Sequence, residues 1–403
     1  MNRESKAQIC EETVMEEFKR VVSDLPDPRR RQGKRYSLES VVIIALMATV
    51  CGCDDDQMMQ FWGIANRDWL SRFLKLPHGP PTQDVFLNVF AALDPSAFNV
   101  VFASWVQLLQ ERLGIDIEGK HIAIDGKTSR RSFRRDKTGK QVGALHTVSA
   151  WMSDAGLVLA QQKVDKKSNE ITAIPELLKL VDIRGATISI DALGCQKKVA
   201  STIIGAQGDY LLAVKGNQPT LHSDVKATFD ATQGASPHDL ENGQFLPVEV
   251  YTTKEKGHGR LEERTISVCK DLSLLSTADN WLGLSFVAMV CSKRTIISTK
   301  KTSTASRYYV GSEAEASAKT VATKIRRHWG IENELHWVLD MAFREDEARH
   351  RTKNCAANYT TLRHFALNLL KLDKTKKIGI ANKRKAAELE QEYLLQLLTG
   401  AFA

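Results

Sequence analysis

Residues 121–127 read HIAIDGK and residues 188–194 read ISIDALG. In each, a short apolar run of strand type ends on an aspartate, Asp125 or Asp191, with small residues following. A carboxylate at the end of a buried strand is poorly solvated, so two such ends side by side repel unless a cation lies between them. A third carboxylate, Glu332, lies downstream in HWGIENELHW (328–337), on a segment of helical pattern. Oxygen ligands of this kind suit hard divalent cations, and two such ions can clamp the attacking and leaving oxygens of a phosphodiester displacement.

Working outward from residue 121, HIAID, HTVSAWMS (146–153) and GLVLAQQKV (156–164) read as three consecutive strands. A helix at about 171–180, the strand ATISID (186–191), a helix at about 196–204 and the strand DYLLAVK (209–215) follow. Strand, strand, strand, helix, strand, helix, strand is the element order of a mixed α/β sheet of ribonuclease H type. By fold analogy its first and fourth strands are neighbours, which brings Asp125 to Asp191. From 217 to 318 the text turns to strand signals: LPVEVYTT, RTISVC, LSFVAMVC and RYYVGS, with a turn at Gly257-His258-Gly259. This is read as a β-rich insertion. Residues 319–343 return to a helix with an expected core stripe of Ile331, Leu335, Val338 and Ala342. Gly330 within it hints at a close backbone approach.

Upstream, residues 1–118 read as helical, with breaks at Leu25–Pro28, Pro77–Pro81 and Asp94-Pro95 and with Thr82 and Ser96 as expected N-caps. The expected organisation is a helical N-terminal domain (1–118), the first part of a ribonuclease H-like core (119–216), the β-rich insertion (217–318), the catalytic helix and end of the core (319–370) and a basic helical tail (371–403).

Composition bounds the function. The chain has 403 residues, 43% apolar and 26% charged, as in an ordinary globular protein, and its net charge of +8 biases it toward polyanions. KTSRRSFRRDK (127–137) holds six basic residues against one acid, and 371–385 holds seven against Asp373. A third cluster is Arg29, Arg30, Arg31, Lys34 and Arg35. A basic run is usually a solvated face, but the first begins two residues after Asp125, where a phosphate backbone would pass. Seven scattered cysteines form no CxxC pair, which reads as reduced thiols in a cytoplasmic protein. The polar start is unlike a signal peptide, and the apolar stretch 41–53 is short of the ~20 residues that span a bilayer, so no membrane is expected. No GxxxxGK loop occurs, so no nucleotide cofactor is expected.

Six segments in order, IAIDGKTSRRSF, SNEITAIPELL, ISIDALGCQK, GDYLLAVKGNQ, GHGR and HWGIENELHWVLD, resemble the DDE insertion-sequence transposases of the H-repeat-associated, Rhs-linked group. The resemblance runs from about residue 15 to 370. It implies a ribonuclease H-like core, Mg²⁺-dependent strand cleavage and transfer (with Mn²⁺ as a substitute), and an Asp125–Asp191–Glu332 metal-binding triad. It implies as partners double-stranded DNA, namely terminal inverted repeats and target, and a homodimer assembled on it. Relatives often carry Tyr, Arg and Lys seven and four residues before and seven after the glutamate; here Ile325, His328 and Leu339 stand there.

Lys127, Arg130, Arg131 and Lys215 are the candidate phosphate contacts, with His328 and His336 as contacts or supports for Glu332; His258 and Arg260 are a turn or a DNA contact. His328, Glu332 and His336 could instead chelate one zinc, although the HExxH spacing is absent. Trp329 and Trp337 read first as core residues, with base stacking as the functional alternative. A ribonuclease H-like nuclease or resolvase, and a degenerate element protein that only binds DNA, remain open.

Overall fold

The computed structural model describes residues 16, 18–30, 34–135, 141–164, 169–232, 246–257 and 259–400. His258, Arg31 and Lys137, singled out above, lie outside the described residues. The chain forms two compact units. One comprises Met1–Asp116, Gly126–Asn169 and Glu332–Ala403; the other comprises Ile117–Asp125 and Glu170–Ile331.

The first unit is built on helices α1 (Leu38–Val50), α2 (Asp56–Ala65), α3 (Arg67–Leu70), α4 (Gln83–Ala92) and α5 (Pro95–Leu113). Helix α1 is apolar on every face and almost wholly buried, as such a helix must be. Aspartates cap two of these helices. Helix α2 begins at Asp56, because the Asp55 carboxylate accepts the Met58 N–H at 2.8 Å. The cap of α5 is Asp94, not Ser96: Pro95 takes the first helical position and Asp94 accepts the Ser96 N–H at 3.0 Å. These helices share their core with a C-terminal helix, Cys355–Leu372, whose Phe365 packs against Phe98, Phe102 and Trp105. Among them Gln161 Nε2 donates to Asn99 Oδ1 (3.0 Å) and to Thr361 Oγ1 (2.5 Å), a buried polar tie that pins one register. In the basic tail, Lys383 and Arg384 turn inward: Lys383 Nζ donates to the Leu370 carbonyl and Arg384 to the Thr49 carbonyl and Asp54.

Strand β1 (His121–Ser129) runs past HIAID. Strands β2 (Arg134–Arg135) and β3 (Gln141–Val142) form a two-stranded ribbon, and β4 (Leu145–Met152) pairs antiparallel with β5 (Leu157–Lys163).

In the second unit, helix α6 (Glu170–Leu178) precedes β6 (Thr187–Ile190), α7 (Lys197–Gly205) precedes β7 (Asp209–Val214), and α8 (Pro219–Thr232) follows. Strands β8 (Val248–Gly257), β9 (Arg260–Cys269), β10 (Phe286–Ile296) and β11 (Thr302–Gly311) form antiparallel pairs. They continue the sheet, since β11 pairs antiparallel with β7. The result is a mixed nine-stranded sheet in the order β5-β4-β1-β6-β7-β11-β10-β9-β8. Helix α9 (Ala318–His328) covers β6, β8 and β9, burying Val321 and Ile325 with Ile266, Val268 and Phe286.

The expected continuous helix at 319–343 is interrupted. After α9 the chain makes a π-helical turn, Ile331–His336, before α10 (Trp337–Ala342). The fully buried stripe is accordingly Ile331, Leu335, Leu339 and Phe343, while Val338 and Ala342 are only partly buried. Steps of four overrun the 3.6-residue α-turn, and the wider π turn absorbs the excess.

His121, His336, His350 and His364 are held neutral by burial, which pushes each pKa down to about 3. In the unfolded chain they titrate near 6.5. The unfolded state therefore binds more protons below that pH, and stability present above about 6.5 is lost as pH falls toward 3. Thermal unfolding across pH 8 to 4 should show a Tm that declines below about 6.5 with proton uptake on unfolding. A Tm flat down to pH 4 would contradict it.

Candidate active site

The second unit carries two of the three carboxylates. Strands β1 and β6 are parallel, paired from His121↔Thr187 to Ile124↔Ile190. Asp125 follows the last pair within β1 and Asp191 is the first residue beyond the end of β6, so both leave strands held one inter-strand spacing apart, about 4.8 Å. The periodicity of two gives both the same face, shared with His121 and Ala123 on one strand and Thr187 and Ser189 on the other. Each aspartate is partly buried. Asp191 also shapes its own turn: Oδ1 accepts the N–H groups of Leu193 (3.0 Å) and Gly194 (3.3 Å). A Cβ on Gly194 would stand 2.3 Å from Ile190 Cγ2 and 3.0 Å from Ile174 Cδ1, so the turn requires glycine.

Helix α9 is fastened along that face at two levels. Lys324 Nζ donates to Thr187 Oγ1 at 2.8 Å and pairs with Glu313. One helical turn on, His328 Nδ1 lies 2.7 Å from Ser189 Oγ, which lies 2.7 Å from His121 Nε2. Burial lowers the His328 pKa, against the pull of the Asp191 charge. The polar alternation was present in HIAID and TISID, yet His121, Thr187, Ser189 and Lys324 were not singled out from the sequence.

In the first unit, Glu332 is exposed on the π-helical turn. Lys127 is placed differently from the phosphate contact expected of it: its Nζ lies 2.7 Å from Asp340, 3.5 Å from Asp346 and 3.9 Å from Glu345. Those acids are more than 200 residues away in sequence, which is why the composition of the basic run did not reveal them. Arg130 remains 82% exposed in its side chain, touching Asp346 at 3.1 Å, and Arg131 is exposed. His336 is mostly enclosed, and burial followed by the nearby Lys127 charge keeps it neutral. Lys215, in the second unit just beyond β7, is exposed. Trp329 and Trp337 are not core: they are 39% and 59% exposed, with the Arg307 guanidinium 5.4 Å from the Trp329 ring centre.

Among the described residues no three His, Cys, Asp or Glu side chains are gathered into a group that could hold a metal ion. The zinc alternative of His328, Glu332 and His336 is accordingly not such a group among the described residues. The donor set at Asp125 and Asp191 nevertheless fits a hard divalent cation: two carboxylates on adjacent strand ends, whose mutual repulsion such an ion relieves.

A family model described as "Transposase DDE domain" matches residues 114–369, and one described as "DDE_Tnp_1-associated" matches residues 19–106. The chain belongs to the DDE transposase family and is a DNA transposase, a class that works with divalent metal ions. Within the family it is similar to "H repeat-associated putative transposase YhhI" of Escherichia coli K12, 36% identical over 385 residues, which covers 94% of this chain and 97% of the relative. "Putative transposase YncI" of Escherichia coli O157:H7 is 37% identical over 381 residues, covering 94% and 93%. Among solved structures, a chain of the piggyBac transposase synaptic complex with hairpin DNA aligns at a TM-score of 0.42 and 12% identity, covering 96% of this chain and 78% of that one.

Replacing Gly194 by Ala should overpack the turn and cost about 1–3 kcal/mol. A lowered denaturation midpoint is the expected result; an unchanged one would mean that the turn accepts a side chain.

Proposed function

We propose that this chain cuts DNA at the ends of an insertion sequence and joins the freed ends to a target, with Asp125, Asp191 and Glu332 as its metal-holding carboxylates. One observation carries the triad. Along α9, Lys324 meets Thr187 and His328 meets Ser189, a step of four on the helix for two on the strand. The next position on that face of the strand is Asp191, and in the sequence the next step of four is Glu332. The strand order β5-β4-β1-β6-β7 supports a ribonuclease H-like core, in which the fourth strand adjoins the first.

In this reading Asp125, Asp191 and Glu332 would hold the Mg²⁺ (Mn²⁺ substituting). Those ions supply activation of water or a 3′-hydroxyl and neutralisation of charge on the phosphate. The residues fix the ions at a strand end and leave the phosphodiester to be positioned by exposed cations, Arg130, Arg131 and Lys215. Glu332 is exposed, so its carboxylate is open to a metal ion and to DNA. Strand joining needs no nucleotide, because each transesterification conserves the number of phosphodiester bonds. The partners are the element's terminal inverted repeats and target DNA, engaged by a homodimer in the cytoplasm.

Asp125→Asn should abolish Mg²⁺-dependent cleavage of a duplex carrying the DNA that flanks the gene, while leaving its binding intact in a gel-shift titration. Cleavage retained in the variant would assign the metal to other residues. Wild-type cleavage without strand joining would favour a nuclease or resolvase, and binding without cleavage a degenerate element protein.

A further inference from the structure

His121, Ser189 and His328 form a continuous hydrogen-bond chain inside the second unit, joining β1, β6 and the last residue of α9. His121 and Ser189 are buried, and His121 Nδ1 has no partner among the described residues. That orphan sets the direction of the chain. A neutral imidazole carries one proton, and a buried N–H with nothing to accept it costs more than a bare lone pair. The His121 proton therefore lies on Nε2 and is donated to Ser189 Oγ. The serine hydroxyl, with one proton of its own, donates it to His328 Nδ1. Nδ1 of His328 is thereby an acceptor, and its proton is on Nε2. Burial favours the neutral form of both rings. The Lys324–Thr187 bond holds the same helix one turn earlier, so the ring is fixed from two levels.

We propose that His121 and Ser189 are positioning residues that fix His328 as its Nε2–H tautomer, making it a rigid, uncharged N–H donor to a non-bridging phosphate oxygen of the strand cut beside Asp191. The phosphate role rests on the function proposed above; the tautomer does not. A neutral donor suits a site crowded with metal ions, since it binds the anionic oxygen without adding a further cation to repel them.

The test is ¹⁵N–¹H correlation spectroscopy of the full-length chain labelled on histidine, near pH 7 and free of metal and DNA, with the His328 signals assigned by their loss in His328→Gln. His328 should be protonated at Nε2 and bare at Nδ1. Ser189→Ala, which removes the donor to the bare Nδ1, should move the Nδ1 ¹⁵N resonance downfield to that of a free lone pair and slow Mg²⁺-dependent nicking of a supercoiled plasmid carrying the flanking DNA by about tenfold. Ser189→Thr, which keeps the hydroxyl, should restore both. A wild-type His328 protonated at Nδ1 overturns the relay, as does Ser189→Ala with an unchanged Nδ1 resonance and rate. A wild-type chain with the expected tautomer but no nicking keeps the relay and overturns the DNA-cleaving reading on which the phosphate role depends.

Discussion

The parallel pairing of β1 with β6 is the constraint on which the site depends. Ile122 and Ile124 on one strand, and Ile188 and Ile190 on the other, are fully buried on the opposite face and lock the register. With a side-chain period of two, a one-residue slip of either strand would carry its isoleucines onto the polar face that α9 covers, so the register is strongly specified. Fixing the isoleucines fixes the alternate residues as well. Asp125 and Asp191 are thus set side by side by apolar packing, against their own repulsion.

Helix α9 answers to the same strands. Its apolar side joins the core of Ile266, Val268 and Phe286, while Lys324 and His328 reach the polar positions of β6. The helix then changes pitch. The π turn at Ile331–His336 keeps Ile331, Leu335, Leu339 and Phe343 buried at a spacing that a straight α-helix would lose. Such turns recur at functional sites because they re-aim the side chains they carry; here they carry Glu332 and His336.

Much of this was legible in the sequence. The strands β1, β4, β5, β6 and β7 announce themselves by apolar runs, as does helix α1, and the helices α4 and α5 by their periodicity. The adjacency of Asp125 and Asp191 was reached by fold analogy, since element order alone does not set strand pairing. What escaped were features made by distant partners. Nothing near Lys127 foretells Asp340 and Asp346, and nothing in the basic tail foretells that Lys383 and Arg384 would turn inward to backbone carbonyls. The continuation of the sheet from β7 into β11 was likewise hidden, because strand signals do not say which strand they pair with. The π turn was masked by an apolar pattern compatible with an α-helix until the fully buried residues were known.

The central claim is that Asp125, Asp191 and Glu332 together hold divalent metal. Mn²⁺ titration of the full-length protein with duplex DNA carrying the gene's flanking sequence, followed by electron paramagnetic resonance, tests it most directly. The wild-type complex should withdraw Mn²⁺ from solution, and Asp191→Asn and Glu332→Gln should each weaken this by at least about tenfold. Equal Mn²⁺ binding by the wild-type and Glu332→Gln complexes would contradict it.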